Sequence, residues 1–361
     1  MDNVDLEHVQ QNSNSNFKTL FSNENENFLY EDPINHTCKY YEMNEISEKI
    51  QKAKNTFSIL SLNVQSLPGK WLEFKNFITS LTTDNFKPSI IALQEIWNKP
   101  EYENFDLPGY HPFTYTIRDP LGINSKAGGG VGLWVHNSLS FEIINSISIF
   151  TPRVFESQFI KIKTSKNKHL LFGNVYRPNT APYANIKQFN ETLKEIFNEI
   201  RLDPNLRRCE EIIIAGDFNI NLLNYNTHTD TGVYLETLLE NGLLPLITLP
   251  TRLSNNSATL IDHINTNIQD DSFDAGIIIS DISDHFPVFY IQHLKETTKP
   301  ANDFIKTRKF DENSKHNFKE NLNMHPWDNI INNNDPVSAF SDFFETINHY
   351  YDSSFPEKII K

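Results

Sequence analysis

A set of polar residues stands where apolar runs of the sequence stop. Asn63 ends "LSLN", Glu95 follows "IIALQ" and Tyr176 closes "LLFGNVY". Asp217 and Asn219 close "IIIAGDFN", Asp262 follows "TLI", and Asp284 with His285 follows "IIISDIS". A charge at such a point is unfavourable unless it is paired or holds a metal. Several carboxylates converge if the strands that carry them share one sheet edge. Hard oxygen donors of this kind suit Mg²⁺ or Mn²⁺ rather than zinc. A histidine beside a carboxylate suits a phosphate oxygen, with a second carboxylate fixing its ring. An aspartate with a nearby amide can orient and deprotonate a water. Together these are the parts for hydrolysing a phosphoester.

Each residue alone also has a plain structural reading. Asp217 after Gly216 could cap a turn, and Asn63 could be a turn residue. Glu95 with Trp97 could be a buried structural pair. Asp262 and His263 could be half-exposed strand residues, and Asp284-His285 an ordinary turn into an edge strand. "GGG" at 128–130 reads as a flexible loop, because the Lys-Ser/Thr of a nucleotide-binding loop does not follow it.

Elements are needed to bring these residues together. "FSILSLNVQSL", "PSIIALQEIW", "EIIIAGDFN", "TLIDHIN", "AGIIIS" and "HFPVFYIQ" read as strands, and "GGGVGLWVHNSLSFEII" as a strand after a glycine loop. "ESQFIKIKTSKNKHLLFGNVYRPN" reads as a hairpin. "KWLEFKNFITSL" carries Leu72, Phe74, Phe77, Ile78 and Leu81 as a helical stripe. In "ANIKQFNETLKEIFNEI", Ile186, Phe189, Leu193, Ile196, Phe197 and Ile200 fall at helical spacing. "GVYLETLLENG" reads as a helix closed by Gly242. Hairpins mixed with helical crossovers predict stacked sheets flanked by helices.

The flanks differ. Residues 1–50 are polar and Asn-rich and are expected to be largely disordered, with a short docking helix or a loose tail over "CKYYEMNEISEKI". Residues 51–295 carry the core pattern. Residues 296–361 are expected to be a linker, "KETTKPAND", followed by one or two amphipathic helices.

The chain has 361 residues, 38% hydrophobic, enough for a large core. Its net charge of −14 argues against a broad basic surface that holds nucleic acid by charge alone. A local basic groove or a metal-assisted phosphate site remains compatible with it. Two cysteines make no disulfide framework, so a reduced intracellular setting is expected. No run approaches the roughly 18 apolar residues of a membrane span.

In this order, Asn63, "LQE" at Glu95, "NVYRPN" at Tyr176, "GDFN" at Asp217 and Asn219, "LIDHI" at Asp262 and "SDH" at Asp284 and His285 resemble the endonuclease/exonuclease/phosphatase superfamily over roughly residues 55–294. "NVYRPN", "LPTRLSNNSATLIDHI" and "SDISDHFPV" further resemble the apurinic-type endonuclease domain of non-LTR retrotransposons. The stretch from "TRKFDENSKHNFKENL" onward is similar to the segment joining that domain to a reverse transcriptase. No polymerase motif is present, so the reverse transcriptase is expected only as a domain of the parent element.

The resemblance implies an α/β fold, a four-layer α/β/β/α sandwich of two mixed β-sheets flanked by helices. It implies an Mg²⁺- or Mn²⁺-dependent DNA endonuclease that leaves a nick with a 3′-hydroxyl. Glu95 would be a metal ligand with Asn63 beside it, and Asp284 a second metal or phosphate-site group. Asp217 would position or deprotonate the attacking water, and Asn219 and Tyr176 would hold the scissile phosphate. His285 would stabilise the phosphate oxygens, its ring oriented by Asp262. Arg177, Arg252 and Lys126 are candidate DNA-backbone contacts, and Lys126 reads equally well as a solvated surface charge. The expected partner is DNA and not a membrane, the expected state a monomer, and the setting nuclear because the substrate is. A phosphatase acting on a lipid or inositol phosphate, or an inactive retroelement relic, are the other readings.

Overall fold

The apolar runs become two mixed sheets packed face to face, with helices on both outer faces. The structure, a computed structural model, describes residues 38–46, 56–82, 87–97, 105–116, 128–164, 168–179, 184–254, 257–268, 273–294 and 305–360. Residues 1–37 and the linker "KETTKPAND", apart from Leu294 before it, lie outside the described residues. The main strands are β1 (Thr56–Asn63), β2 (Ile90–Gln94), β3 (Val131–Val135), β4 (Phe155–Lys163), β5 (His169–Tyr176), β6 (Glu211–Asp217), β7 (Asp262–Thr266), β8 (Phe273–Ile278) and β9 (Val288–His293). The helices that flank them are α1 (Trp71–Leu81), α2 (Ala184–Leu202) and α3 (Thr229–Glu240).

The first sheet runs β8-β9-β1-β2-β3, with Tyr40–Tyr41 at one edge and Thr114–Thr116 at the other. The second runs β7-β6-β5-β4, edged by Leu244–Pro245 and Phe141–Ile143. β1 and β2 are parallel, joined through α1, and β5 and β6 are parallel, joined through α2. These are the two places where the chain needs a long crossover, and both are helical. The other main-strand pairs are antiparallel.

Strand alternation assigns the faces. Ile59, Ile90, Ala92 and Leu133 enter the core between the sheets, whereas Leu60, Leu62, Ile91, Leu93 and Trp134 pack on α1. Burial on both faces explains the continuous apolar runs. A polar bridge crosses between the sheets in mid-core. Asn174 of β5 donates to the carbonyls of Leu93 (3.1 Å) and Gly132 (3.0 Å) and accepts from Gln94 (2.7 Å).

Three local expectations change. On α1, Phe74, Phe77, Ile78 and Leu81 are buried but Leu72 is 67% exposed. Two residues from Phe74 is about 200° around a helix, so Leu72 cannot share that stripe. The indole of Trp71 packs instead, 5.1 Å from the Phe105 ring. The run "GGGVGLWVHNSLSFEII" is two strands, β3 in one sheet and Phe141–Ile143 in the other, divided at the turn His136–Ser140. Residues 38–46 are ordered: Tyr40–Tyr41 pair in parallel with Ile277–Ile278, and Cys38 and Ile46 are buried. The six apolar positions read on α2 are all buried.

The chain forms two compact units, divided after Leu294. The second holds α4 (Glu312–Met324), α5 (Asp328–Ile331) and α6 (Pro336–Ser354), with Ile305–Arg308 paired antiparallel to Glu357–Ile360. Asp311 caps α4 and Asp335 caps α6 through their side chains.

Candidate active site

The described candidate residues from Asn63 to His285 gather at the same end of the two sheets. The parallel pairs deliver Asn63, Glu95, Tyr176 and Asp217 from the carboxyl ends of β1, β2, β5 and β6. β7 and β9 run the opposite way, so they contribute from their beginnings: Asp262 opens β7, and His285 precedes β9. The register places Asp262 directly opposite Asp217.

At this end the backbone leaves the sheets in strained turns. Gln65, Ser66, Glu95, Trp97 and Asn219 all have positive φ, between 47° and 89°. Residues with side chains pay for that conformation unless the surroundings impose it, and such strain clusters at functional sites. Here the loops impose it on one another. Ser66 N donates to the Glu95 carbonyl (2.8 Å), and Trp97 N donates to that of Gly129 (3.0 Å). The "GGG" stretch is therefore an ordered wall and not a loose loop. Gly216 has φ 148°, and a Cβ there would lie 1.8 Å from the Val175 carbonyl oxygen, so the residue before Asp217 must be glycine.

The side chains form a connected network around a cleft of about 260 Å³. Asn63 Nδ2 donates to Glu95 Oε1 (2.9 Å) and to Asp217 Oδ2 (2.8 Å). The Tyr176 hydroxyl donates to Glu95 Oε1 (2.9 Å), and Trp97 Nε1 to Glu95 Oε2 (3.1 Å). Asn219 donates to Asp217 through its backbone N (2.9 Å) and its Nδ2 (3.0 Å). On the other side, His285 Nδ1 donates to Asp262 Oδ2 (2.9 Å), and the Thr251 hydroxyl donates to the same oxygen (2.6 Å). Glu95, Tyr176, Asn219, Arg252 and His285 line the cleft, with Gln65, Trp97, Asn179, Gly128 and Gly129. Asp217 and Asp262 lie beneath that lining, fully or nearly fully buried.

Burial pushes the Asp217 carboxyl up to about 7, with the Asp262 charge adding to the rise. Burial would lower His285, but the Asp262 carboxylate and its hydrogen bond prevail and raise it to about 9. His285 is therefore an imidazolium at neutral pH. His263, one residue from Asp262, faces the opposite side. It bonds Tyr234 (3.0 Å) and the Leu260 carbonyl (3.1 Å), and burial lowers it to about 4. It is a neutral core histidine, not a half-exposed one.

The donors fit an oxygen-seeking cation at Glu95. Three hydrogen bonds fix that carboxylate, and it still faces the cleft. Oε2 retains lone-pair capacity, and Asn63 Oδ1 is engaged only by Gln65 N (3.1 Å). Ligand atoms of Asp217, Asp262 and His285 also lie within 4.8 Å of one another. That trio fits a metal less well, because Asp262 and His285 bond each other and a protonated histidine ligates nothing. Both cysteines are buried away from the cleft lining, consistent with hard rather than soft ligation.

Several expected site residues stand differently from their expected roles. Asp284 is 40% exposed in its side chain and is engaged by Arg252, through Nε (2.8 Å) and Nη2 (2.5 Å), and by Gln65. Arg252 is thus at the cleft as expected, but its guanidinium is paired. Tyr176 and Asn219, expected to hold phosphate, here donate inward. Arg177, a candidate DNA-backbone contact, is 2% exposed and does not line the cleft. Its side chain is turned under the Phe218–Asn219 turn, where carbonyls await a donor. Lys126 lies outside the described residues.

The sequence does not single out Thr251, Gln65 or Asn174, which the fold brings to the site and its supporting network. Thr251 follows "LP" with no signal of its own to mark it. Its bond to Asp262, eleven residues away, appears only when the Arg252–Ser254/Ser257–Thr259 hairpin folds back.

Among solved structures, the endonuclease domain of TRAS1, a telomere-specific non-LTR retrotransposon, is similar at 15% identity and a TM-score of 0.46, over 67% of this chain and 100% of that one. The catalytic domain of Xenopus laevis APE2 is similar at 16% identity and a TM-score of 0.46, over 67% and 94%. D. rerio TDP2 complexed with a single-strand DNA product is similar at 15% identity and a TM-score of 0.43, over 66% and 100%. No curated protein sequence matches the chain. Residues 60–285, well over half of the chain, match the Endonuclease/Exonuclease/phosphatase family. The chain belongs to the endonuclease/exonuclease/phosphatase family.

Proposed function

We propose that the protein is a divalent-metal-dependent DNA endonuclease that hydrolyses one strand and leaves a 3′-hydroxyl. One observation carries the reading. A buried carboxylate raised toward neutrality and a histidine held as an imidazolium stand at one cleft, beside a carboxylate braced to take a cation. These supply a base, a donor to developing charge and a cation seat, the three needs of phosphodiester hydrolysis.

Glu95, with Asn63 beside it, would hold Mg²⁺ or Mn²⁺. A bound cation would neutralise charge on the phosphate and draw down the Asp217 pKa. Asp217 takes a proton from the attacking water, which Asn219 helps to place. His285 donates through Nε2 to a non-bridging phosphate oxygen as charge builds there, and Asp262 with Thr251 keeps the ring aimed. As the water oxygen bonds to phosphorus, the bond from phosphorus to the 3′-oxygen breaks and that oxygen takes a proton from bulk water, which gives a 3′-hydroxyl and a 5′-phosphate. Tyr176 and Asn219 can serve the phosphate when one of their inward donors turns toward it. Arg252 reaches a strand phosphate by leaving Asp284. The retrotransposon-type resemblance of "NVYRPN" and "SDISDHFPV" supports DNA as substrate and a reverse transcriptase as partner domain of the parent element.

The test is the chemistry of the product ends. Supercoiled plasmid with protein and Mg²⁺ should become open circle, and a DNA polymerase should extend from the nick without further treatment. Phosphate release from a monoester without nicking would replace this reading with a phosphatase.

A further inference from the structure

Arg177 is the one candidate DNA contact that the fold hides. Its Nε donates to the Phe218 carbonyl (2.8 Å) and its Nη2 to the Asn219 carbonyl (2.5 Å). Asn219 answers: its Nδ2 donates to the Arg177 carbonyl (2.9 Å) and to Asp217 Oδ2 (3.0 Å). The backbone closes the ring, because Arg177 N donates to the Asp217 carbonyl (2.9 Å). Residues 176–177 and 217–219 are thus stitched across the ends of parallel strands β5 and β6.

Two features make this more than packing. Asn219 has φ 47°, a left-handed conformation that must be held, and its carbonyl is where Arg177 pulls. Arg177 Nη1 is buried with no hydrogen-bond partner, and no carboxylate forms an ion pair with the guanidinium among the described residues. A buried guanidinium with one nitrogen left unpartnered is costly, and this one is kept where its other two nitrogens meet the carbonyls of the 218–219 turn. The Asp217 carboxylate acts on Arg177 through space.

We propose that Arg177 is a positioning residue: from beneath the cleft it clamps the 218–219 turn, and so aims the Asn219 amide at Asp217, the group that takes the proton of the attacking water. This rests on the endonuclease reading above for what the aimed group does. It makes a distinction that the sequence motif "NVYRPN" does not: the arginine serves kcat and not DNA binding.

The test uses the full chain with Arg177→Gln, and Arg177→Lys as the variant that keeps the charge. In EDTA, DNA binding by both variants should match wild type within twofold at every salt concentration, with an unchanged salt slope. A phosphate contact would instead lower that slope by about 1. With Mg²⁺, Arg177→Gln should lower the nicking kcat by tenfold or more at unchanged KM. In an Asn219→Ala background the same change should have little further effect, because both act through one group. The Asn219 amide resonance should shift in Arg177→Gln. A lower salt slope, multiplicative losses with Asn219→Ala, or an unmoved Asn219 resonance would each overturn the proposal. Wild-type protein that does not nick DNA would count against the endonuclease reading alone, and the resonance and salt-slope results would still decide the clamp.

Discussion

Asp217 and His285 hold opposite charges in reserve at one cleft, and both titrate within reach of physiological pH. Asp217 is raised from 3.8 to about 7, mainly by burial. In metal-free protein the folded state therefore binds a proton that the unfolded chain releases, and this group destabilises the fold increasingly from about pH 4 to pH 7. His285 is raised from 6.5 to about 9. Its contribution is full below pH 6.5 and is lost as pH rises through 9. Both signs agree, so thermal unfolding in EDTA should give a lower midpoint at pH 9.5 than at pH 6. A rising midpoint would contradict the assigned charges. The rate should show two limbs: nicking rises as Asp217 loses its proton and falls near pH 9 as His285 does, with the cation moving the first limb lower. Thr251→Val removes a hydrogen bond to an ionised carboxylate, a group worth about 1.5–3 kcal/mol. It should slow nicking by roughly 10-fold or more with little change in DNA affinity, and an unaffected rate would show that Asp262 needs no such support.

At the level of elements, the site exists because both βαβ units point their carboxyl ends the same way. The apolar strands and the two crossover helices were legible as runs and periods. So were Glu95, Asp217 and His285, because each interrupts an apolar run. What the sequence hides is pairing across distance. Thr251 carries no signal of its own, and Arg177 reads as a DNA-backbone contact, until the hairpin and the 217–219 turn are in place. "GGG" looks loose until Trp97 and Ile96 bond its carbonyls. Gly216 is visible as a glycine, but its need depends on β5, whose Val175 carbonyl fills the space of a Cβ. Gly216→Ala should destabilise by on the order of 3 kcal/mol or more, seen as a lower denaturant midpoint. A change under about 0.5 kcal/mol would mean that the two strands are not so closely set.

For the whole molecule, residues 38–46 belong with the sandwich although they read as part of a polar tail. Cys38 and Ile46 are buried, and Tyr40–Tyr41 cover the edge of β8. A chain spanning 38–294 should unfold in one sharp transition. One spanning 50–294 should melt several degrees lower, because a kilocalorie or two lowers the midpoint of a domain this size by about 2–4 °C per kilocalorie. Equal midpoints would return these residues to the tail. The net charge of −14 fits a site that finds phosphate through a cation, His285 and a few local contacts rather than through a basic surface. The most direct measurement of that claim is plasmid nicking by wild type, Glu95→Gln, Asp217→Asn and His285→Ala, each with Mg²⁺ and with EDTA. Nicking by wild type only, and only with Mg²⁺, is the predicted result. Nicking that survives EDTA, or that persists in a folded His285→Ala or Glu95→Gln protein, would contradict it.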